Sequence, residues 1–236
     1  MIIRDDLHAL MAVPGLSGHE NRVRAAIAAR LDQIGLAHRT DRLGNLIATV
    51  EGDGPSVMLF THMDQLGFVV RKVEDDGFIR VERLGGVPER ALASQEVMFC
   101  INDGSDIYGI IANKSHHATT PDEKYQVVRY ADLYVDAGFS SKAEAEATGI
   151  RIGTPVVYAP GSFELGPHRI VGPAVDDRAG CAVQLAVAEA LAKRSGGPTV
   201  HLVWSVQEEF NLRGAQVAAQ ALTPDMAIQI DLMLAT

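Results

Sequence analysis

A four-residue run without a polar side chain, Val57-Met58-Leu59-Phe60, sits between two polar turns. A strand that apolar belongs inside a sheet covered on both faces. What surrounds it then limits the fold. Upstream, Val23, Ile27, Leu31 and Ile34 recur at helical spacing, Gly35 closes the run, and Ser17 with Glu20 forms a capping-box pattern. Residues 46–50 read as a further strand. Beyond Gly166-Pro167 come an Ala-rich helical pattern over 177–194, a strand over 200–204, a helix over 214–221 and a strand over 226–232. This alternation predicts an α/β fold with a mostly parallel sheet flanked by helices.

The middle of the chain has a different texture. Strand-like pieces at 67–73, 78–81, 96–101, 107–112 and 156–159 alternate with Gly, Pro and Asp turns. One short helix is expected over 141–148, opened by a capping box of Ser141 and Glu144. The expected organisation is one α/β domain from 1–69 and 166–236, with a β-rich domain inserted over 70–165.

Bulk composition excludes several classes. A net charge of −9 over 236 residues leaves no basic face for tracking phosphates, which argues against nucleic-acid partners. Two cysteines, Cys100 and Cys181, without paired Cys or Cys/His spacing argue against a disulfide scaffold or a thiolate zinc site. They read as buried thiols. No apolar stretch is long enough to span a membrane, and the first residues lack a signal peptide's pattern. A cytoplasmic protein is expected.

The chemistry-bearing residues sit where strands end, which is where open α/β sheets place active sites. Glu208 and Glu209 follow the 200–204 strand. Such a pair can divide two tasks, one carboxylate binding a cation and the other taking a proton from an activated water. His62 and Asp64 follow the 57–60 strand, and their spacing lets the carboxylate fix the ring's tautomer. Asp176 and Asp177 precede a helix that one of them is enough to cap, leaving the other free. Arg178 could pair with that neighbour. Asp231 interrupts an apolar run, which is costly unless the charge is paired, metal-bound or on an exposed edge strand. One His among carboxylates, without Cys, suits a divalent ion of intermediate hardness such as Zn, Co or Mn.

With these motifs in place, the chain resembles the M42 family of metallo-aminopeptidases. The resemblance runs through Pro14 to Glu20, Asp41-Arg42-Leu43-Gly44-Asn45-Leu46 and Thr61-His62-Met63-Asp64-Gln65-Leu66-Gly67-Phe68. It continues through Asp132 to Asp136, Asp176-Asp177-Arg178-Ala179-Gly180 and Glu208 to Ala215. It implies a zinc-peptidase-like sheet and an inserted dimerisation domain through which subunits form dimers or dodecamers. It also implies two divalent metal ions, with Asp176 bridging them, His62 and Asp231 completing one site and Glu209 binding the other. Glu208 would be the general base and Asp64 would orient His62. The Asp176–Asp177 peptide bond would be cis. The implied reaction is hydrolysis of the N-terminal bond of short peptides.

Three positions depart from the pattern. Gln65 stands where the family usually has Glu, and Asn211 stands where it has Gly, a swap that Asn tolerates in left-handed backbone. The chain also stops at Thr236, before the family's last catalytic-domain segment and its final histidine ligand. His116, His117, His168 and His201 lie elsewhere in the pattern. The expectation is therefore a truncated form with an exposed sheet edge and fewer than two tightly held ions per subunit. Alternatives are a catalytically impaired assembly subunit or a hydrolase of other small amides.

Overall fold

The computed structural model describes residues 2–102 and 104–233. In chain order the elements are α1 (Ile2–Met11), α2 (Asn21–Ile34), β1 (His38–Thr40), β2 (Leu46–Val50), β3 (Gly54–His62), β4 (Gly67–Val73), β5 (Ile79–Leu84), β6 (Glu96–Phe99), β7 (Ile107–Ala112) and β8 (Tyr134–Asp136). They continue with α3 (Lys142–Ala147), β9 (Pro155–Tyr158), β10 (Phe163–Leu165), β11 (Arg169–Val171), α4 (Val175–Leu191), β12 (Pro198–Ser205), α5 (Arg213–Leu222) and β13 (Met226–Gln229). The chain divides into two compact units, Met1–Gln65 with Pro160–Thr236, and Leu66–Ala159. The sequence-based boundary was drawn at 70–165; the β10–β11 hairpin falls in the first unit.

The first unit is α/β. Its sheet runs β1-β2-β12-β3-β13. The three strands β12, β3 and β13 are mutually parallel, while β1 and β2 extend the sheet antiparallel. Successive side chains of a strand face opposite ways, and β12 shows the result. Leu202 and Trp204 pack with Val23, Ile27 and Leu31 of α2 and with Cys181 and Leu185 of α4. Val203 packs with Ile47, Met58 and Ala218 on the α5 side. Both faces are covered there, as the apolar run at 57–60 requires.

The second unit is a closed six-stranded barrel, β4-β5-β8-β7-β6-β9. Closure pairs both edges, the usual way an all-antiparallel sheet avoids an open edge. Phe68, Phe99, Ile111, Val135 and Val156 fill it. In α3 the capping box is half realised: Ser141 Oγ accepts the Glu144 N–H, but the Glu144 carboxylate takes the Ser140 N–H instead of Ser141's.

Two expectations are corrected. Ser17 and Glu20 do not form a capping box on α2; Glu20 occupies the cap position without a side-chain cap bond. The strand expected over 226–232 ends at Gln229, and Asp231 lies beyond it and is exposed. β13 is an edge strand with Met226 and Ile228 open to solvent, so the charge at Asp231 is not buried. Among the described residues no helix is long and apolar enough to cross a membrane. Cys181 is buried, as expected, whereas Cys100 is only half-buried.

Position in the sheet sets the expected mutational cost. Leu202→Ala, in a strand with a covered face on each side, should destabilise the first unit by about 2–5 kcal/mol. Ile228→Ala, on the exposed edge, should stay within about 1 kcal/mol. Urea unfolding followed by the fluorescence of the single tryptophan, Trp204, reads both.

Candidate metal centre

Parallel pairing brings the site together. Ser205 lies opposite His62 in the β12–β3 register, so the segment leaving β12 starts beside the end of β3. On the other side, Gln229 pairs with Phe60 and the Ile230 N–H reaches Phe60 O at 2.8 Å. The next residue is Asp231. The three strand ends thus place Glu208 and Glu209, His62, and Asp231 in a row, with Asp176 entering from the start of α4.

His62, Asp176 and Asp231 each offer a ligand atom, and these atoms lie within 4.8 Å of one another. His62 Nε2 is 3.0 Å from Asp176 Oδ1 and 3.8 Å from Glu208 Oε2. Asp64 Oδ1 stands 3.4 Å from His62 Nδ1 on the other side of the ring. His62 is buried while Asp176 and Asp231 are exposed, so the cluster opens toward solvent. Glu209 is half-buried and is not part of the three-ligand group found among the described residues.

Asp64, fully buried, does more than face the ring. Its Oδ1 accepts the Glu208 N–H at 3.0 Å and its Oδ2 the Glu209 N–H at 3.1 Å. Burial opposes its charge, but His62 and these contacts outweigh burial and hold the carboxyl below its usual range.

The Asp176–Asp177 peptide is cis and both residues have non-helical backbone angles. The division of labour between them is visible. Asp177 Oδ1 takes the Gly180 N–H at 2.9 Å, three residues on, and its other oxygen receives the Thr61 hydroxyl. Asp177 thus caps the helix and ties it to β3, leaving Asp176 free toward His62. Gly180 is required there, because a Cβ would collide with the Asp177 carboxylate and Thr61 Oγ1.

Electrostatics favour a cation. Burial raises the Glu208 carboxyl, with the charges of Asp64, Asp231 and Asp176 adding to it against His62. Glu209 is pushed up to about 7, first by burial and then by Asp64, Asp176 and Glu208. Asp177 rises to about 6 through burial, against the Thr61 and Gly180 contacts. At His62, burial works against the charged ring, but Asp176 and Asp64 overcome it and hold the ring up to about 11. The site therefore concentrates more negative charge than it neutralises. One His and several carboxylates, with the ring's far nitrogen backed by Asp64, is a donor set suited to a divalent ion.

Arg178 corrects an expectation. It does not pair with Asp176 or Asp177. Its Nη2 donates to Val13 O at 3.4 Å and Gln65 Oε1 at 3.3 Å. The guanidinium is fully buried, and burial pushes it down to about 10 against the charges of Asp64, Glu20 and Asp177. It is a buried countercharge beneath the site. Asn211 meets its expectation, with φ at 73° in the left-handed region; Leu212 follows at 56°.

Two contributors escape sequence reasoning. Asn45, fully buried, donates through Nδ2 to Gly214 O at 2.9 Å and Asp41 Oδ2 at 2.7 Å. Glu20, read as a helix cap, is a buried carboxylate near the Glu208–Glu209 segment. Both stand in the motifs named above, but the contacts that tie them to the site, Asn45 to Gly214 and Glu20 to Gln207, span 169 and 187 residues, and periodicity gives no sign of them.

Fold and donor set together define a two-unit α/β protein with a His/carboxylate cluster able to hold a metal ion at the ends of parallel strands. The M42 glutamyl aminopeptidase family matches residues 44–236, and the chain belongs to that family. Lysyl aminopeptidase of Pyrococcus furiosus is 34% identical over 224 residues, covering 94% of this chain and 64% of that protein. The structure of aminopeptidase APDkam598 from Desulfurococcus kamchatkensis superposes with a TM-score of 0.91 at 34% identity, over 99% of this chain and 64% of that one. The Pyrococcus horikoshii TET1 peptidase, which assembles into a tetrahedron or a large octahedral shell, gives 0.90 at 26% identity over 97% and 68%. The chain spans 62 to 66% of the length of the curated relatives it matches.

Removing the buried countercharge should be costly. Arg178→Met leaves Asp64, Glu20 and Asp177 without it, and stability should fall by about 3–5 kcal/mol. Thermal unfolding would show a melting point lower by roughly 10 °C; an unchanged melting point would mean that the guanidinium balances nothing.

Proposed function

We propose that this chain carries the centre of a metal-dependent aminopeptidase that releases the N-terminal residue of short peptides. The observation that carries the reading is the convergence of His62, Asp176 and Asp231 within 4.8 Å, with Glu208 beside them. Membership in the M42 family supports it. His62, Asp176 and Asp231 would hold one divalent cation, Zn, Co or Mn, and Glu209 would serve a second with Asp176 between them. When bound, such cations polarise a carbonyl and lower the pKa of water.

The chain's own residues supply the rest. Glu208 is the general base. Its carboxylate is half-buried, its pKa is raised by burial, and its main-chain N–H is anchored on Asp64. A raised pKa lets it accept a proton from the attacking water and return that proton to the leaving amine near neutral pH. Asp64 orients His62 and is a positioning residue, since it touches the ring and the backbone of the pair, not the substrate. The exposure of Asp176 and Asp231 leaves one side of the cluster open to a peptide terminus.

The β-barrel unit, Leu66–Ala159, is the proposed oligomerisation domain. Tyr108 and Ile110 on β7 point outward and are largely exposed, which suits a surface that a second subunit covers. The TET1 assemblies support a homo-oligomer, from dimer to dodecamer.

Two measurements test the assignment. Metal analysis of the purified chain should find fewer than two tightly held ions per subunit, because Glu209 stands outside the three-ligand cluster. Hydrolysis of aminoacyl-p-nitroanilides should stop on adding a chelator and resume on restoring metal. Glu208→Gln should retain the metal and lose about 10²–10⁴-fold in kcat. A variant as active as the parent would reject Glu208 as the base.

A further inference from the structure

We propose that Glu20 is a positioning residue for the Glu208–Glu209 loop, acting through the main chain of Gln207. The inference rests on the reading of Glu208 and Glu209 as the chemistry-bearing pair. Its evidence is independent of that chemistry.

Glu20 stands at the N-cap of α2 and makes no cap bond with its side chain. The residue is nevertheless only 4% exposed. Burying a carboxylate is unfavourable without specific partners, so the local helix does not account for it. The partners are main-chain donors: Oε1 accepts the Gly18 N–H at 2.7 Å and the Gln207 N–H at 3.1 Å. The second contact joins the entrance of the first domain segment to the exit of β12.

Gln207 is the residue that needs holding. Its φ is 54°, a left-handed conformation that a side chain other than Gly adopts rarely. The turn there aims the following two carboxylates. Its neighbours show the same kind of support. The Val206 N–H goes to Asn45 Oδ1 at 3.0 Å, and the Glu208 and Glu209 N–H groups go to the two Asp64 oxygens at 3.0 and 3.1 Å. Successive amides of residues 206 to 209 thus each meet a side-chain oxygen, supplied in turn by Asn45, Glu20 and Asp64. Glu20 fills the one position in this series that neither Asn45 nor Asp64 serves. Without its oxygen the Gln207 donor is orphaned at the turn where the backbone is least favourable. The loop then relaxes and Glu209 leaves its place beside the cation cluster.

The test compares Glu20→Gln, which keeps an acceptor oxygen, with Glu20→Ala, which removes it, in the 236-residue chain. Hydrogen–deuterium exchange is read at residues 206–209, and Co²⁺ binding is followed by its visible absorption. Glu20→Ala should speed exchange at Gln207 and weaken Co²⁺ affinity by about 10–100-fold, at temperatures well below its melting point. Glu20→Gln should restore both. A purely structural role would lower the melting point and leave the cobalt spectrum of the folded protein unchanged, which would overturn the proposal. Equal losses in both variants would also overturn it, because the acceptor would then not be what matters. If Glu20→Ala does not fold, the parent chain decides. Exchange at Gln207 as slow as at Glu208 and Glu209 supports the proposal, and fast exchange there in the folded protein overturns it. A parent chain that binds no Co²⁺ would remove the metal reading of the site while leaving the exchange test intact.

Discussion

One buried carboxylate, Asp64, ties the site together. It follows the end of β3, faces the ring of His62 and accepts the N–H groups of both Glu208 and Glu209. The ends of two parallel strands are therefore linked by a charge-assisted contact as well as by the sheet ladder. Bonds to a charged acceptor are roughly twice as strong as neutral ones, and in a buried setting they gain further. His62 and the glutamate pair are thus held in relation to each other before any ligand arrives. Pre-organisation of this kind is what catalysis by positioned acids and bases requires.

That arrangement concentrates negative charge, and the protein answers it from beneath. Arg178 lies fully buried among Asp64, Glu20 and Asp177, and its hydrogen bonds go to Val13 O and Gln65. The guanidinium offsets the inner carboxylates, while Asp176 and Asp231 remain on the open side. Two charge layers follow: an inner one balanced by arginine and an outer one left for a cation. Gln65 at the arginine's side accepts from the guanidinium as a neutral amide and adds no charge to the inner layer.

Much of this was legible along the chain because it depends on local pattern. The apolar spacing of Val23, Ile27 and Leu31 marked the buried face of α2, and all three are fully buried. Asn211 was marked as compatible with left-handed backbone because the resemblance places Gly there; Gln207 and Leu212, equally left-handed, gave no such sign. Only the structure showed that the capping residue is Asp177, but that one of Asp176 and Asp177 caps the helix followed from residue type, which is local. Glu20 was misread for the same reason. A Ser-x-x-Glu pattern is a strong local signal, but the carboxylate found a partner at Gln207, and a contact across 187 residues leaves no trace in periodicity. At Asp231 the sequence left three outcomes open, pairing, a metal or an exposed edge strand; the structure shows β13 as the sheet's exposed edge and brings Asp231 beside His62 and Asp176.

By itself the sequence determined which residues could form strands and helices, and which side chains had the chemistry to bind a cation or carry a proton. Those are properties of residue type and spacing. Only the tertiary structure decided which strands became neighbours, and with that the order β12-β3-β13 that sets Glu208, His62 and Asp231 side by side. It also decided that Arg178 faces inward and that Glu20 serves a distant loop. Pairing and burial depend on the whole chain's packing, where each group finds its lowest-energy partner in space, not its nearest one in sequence.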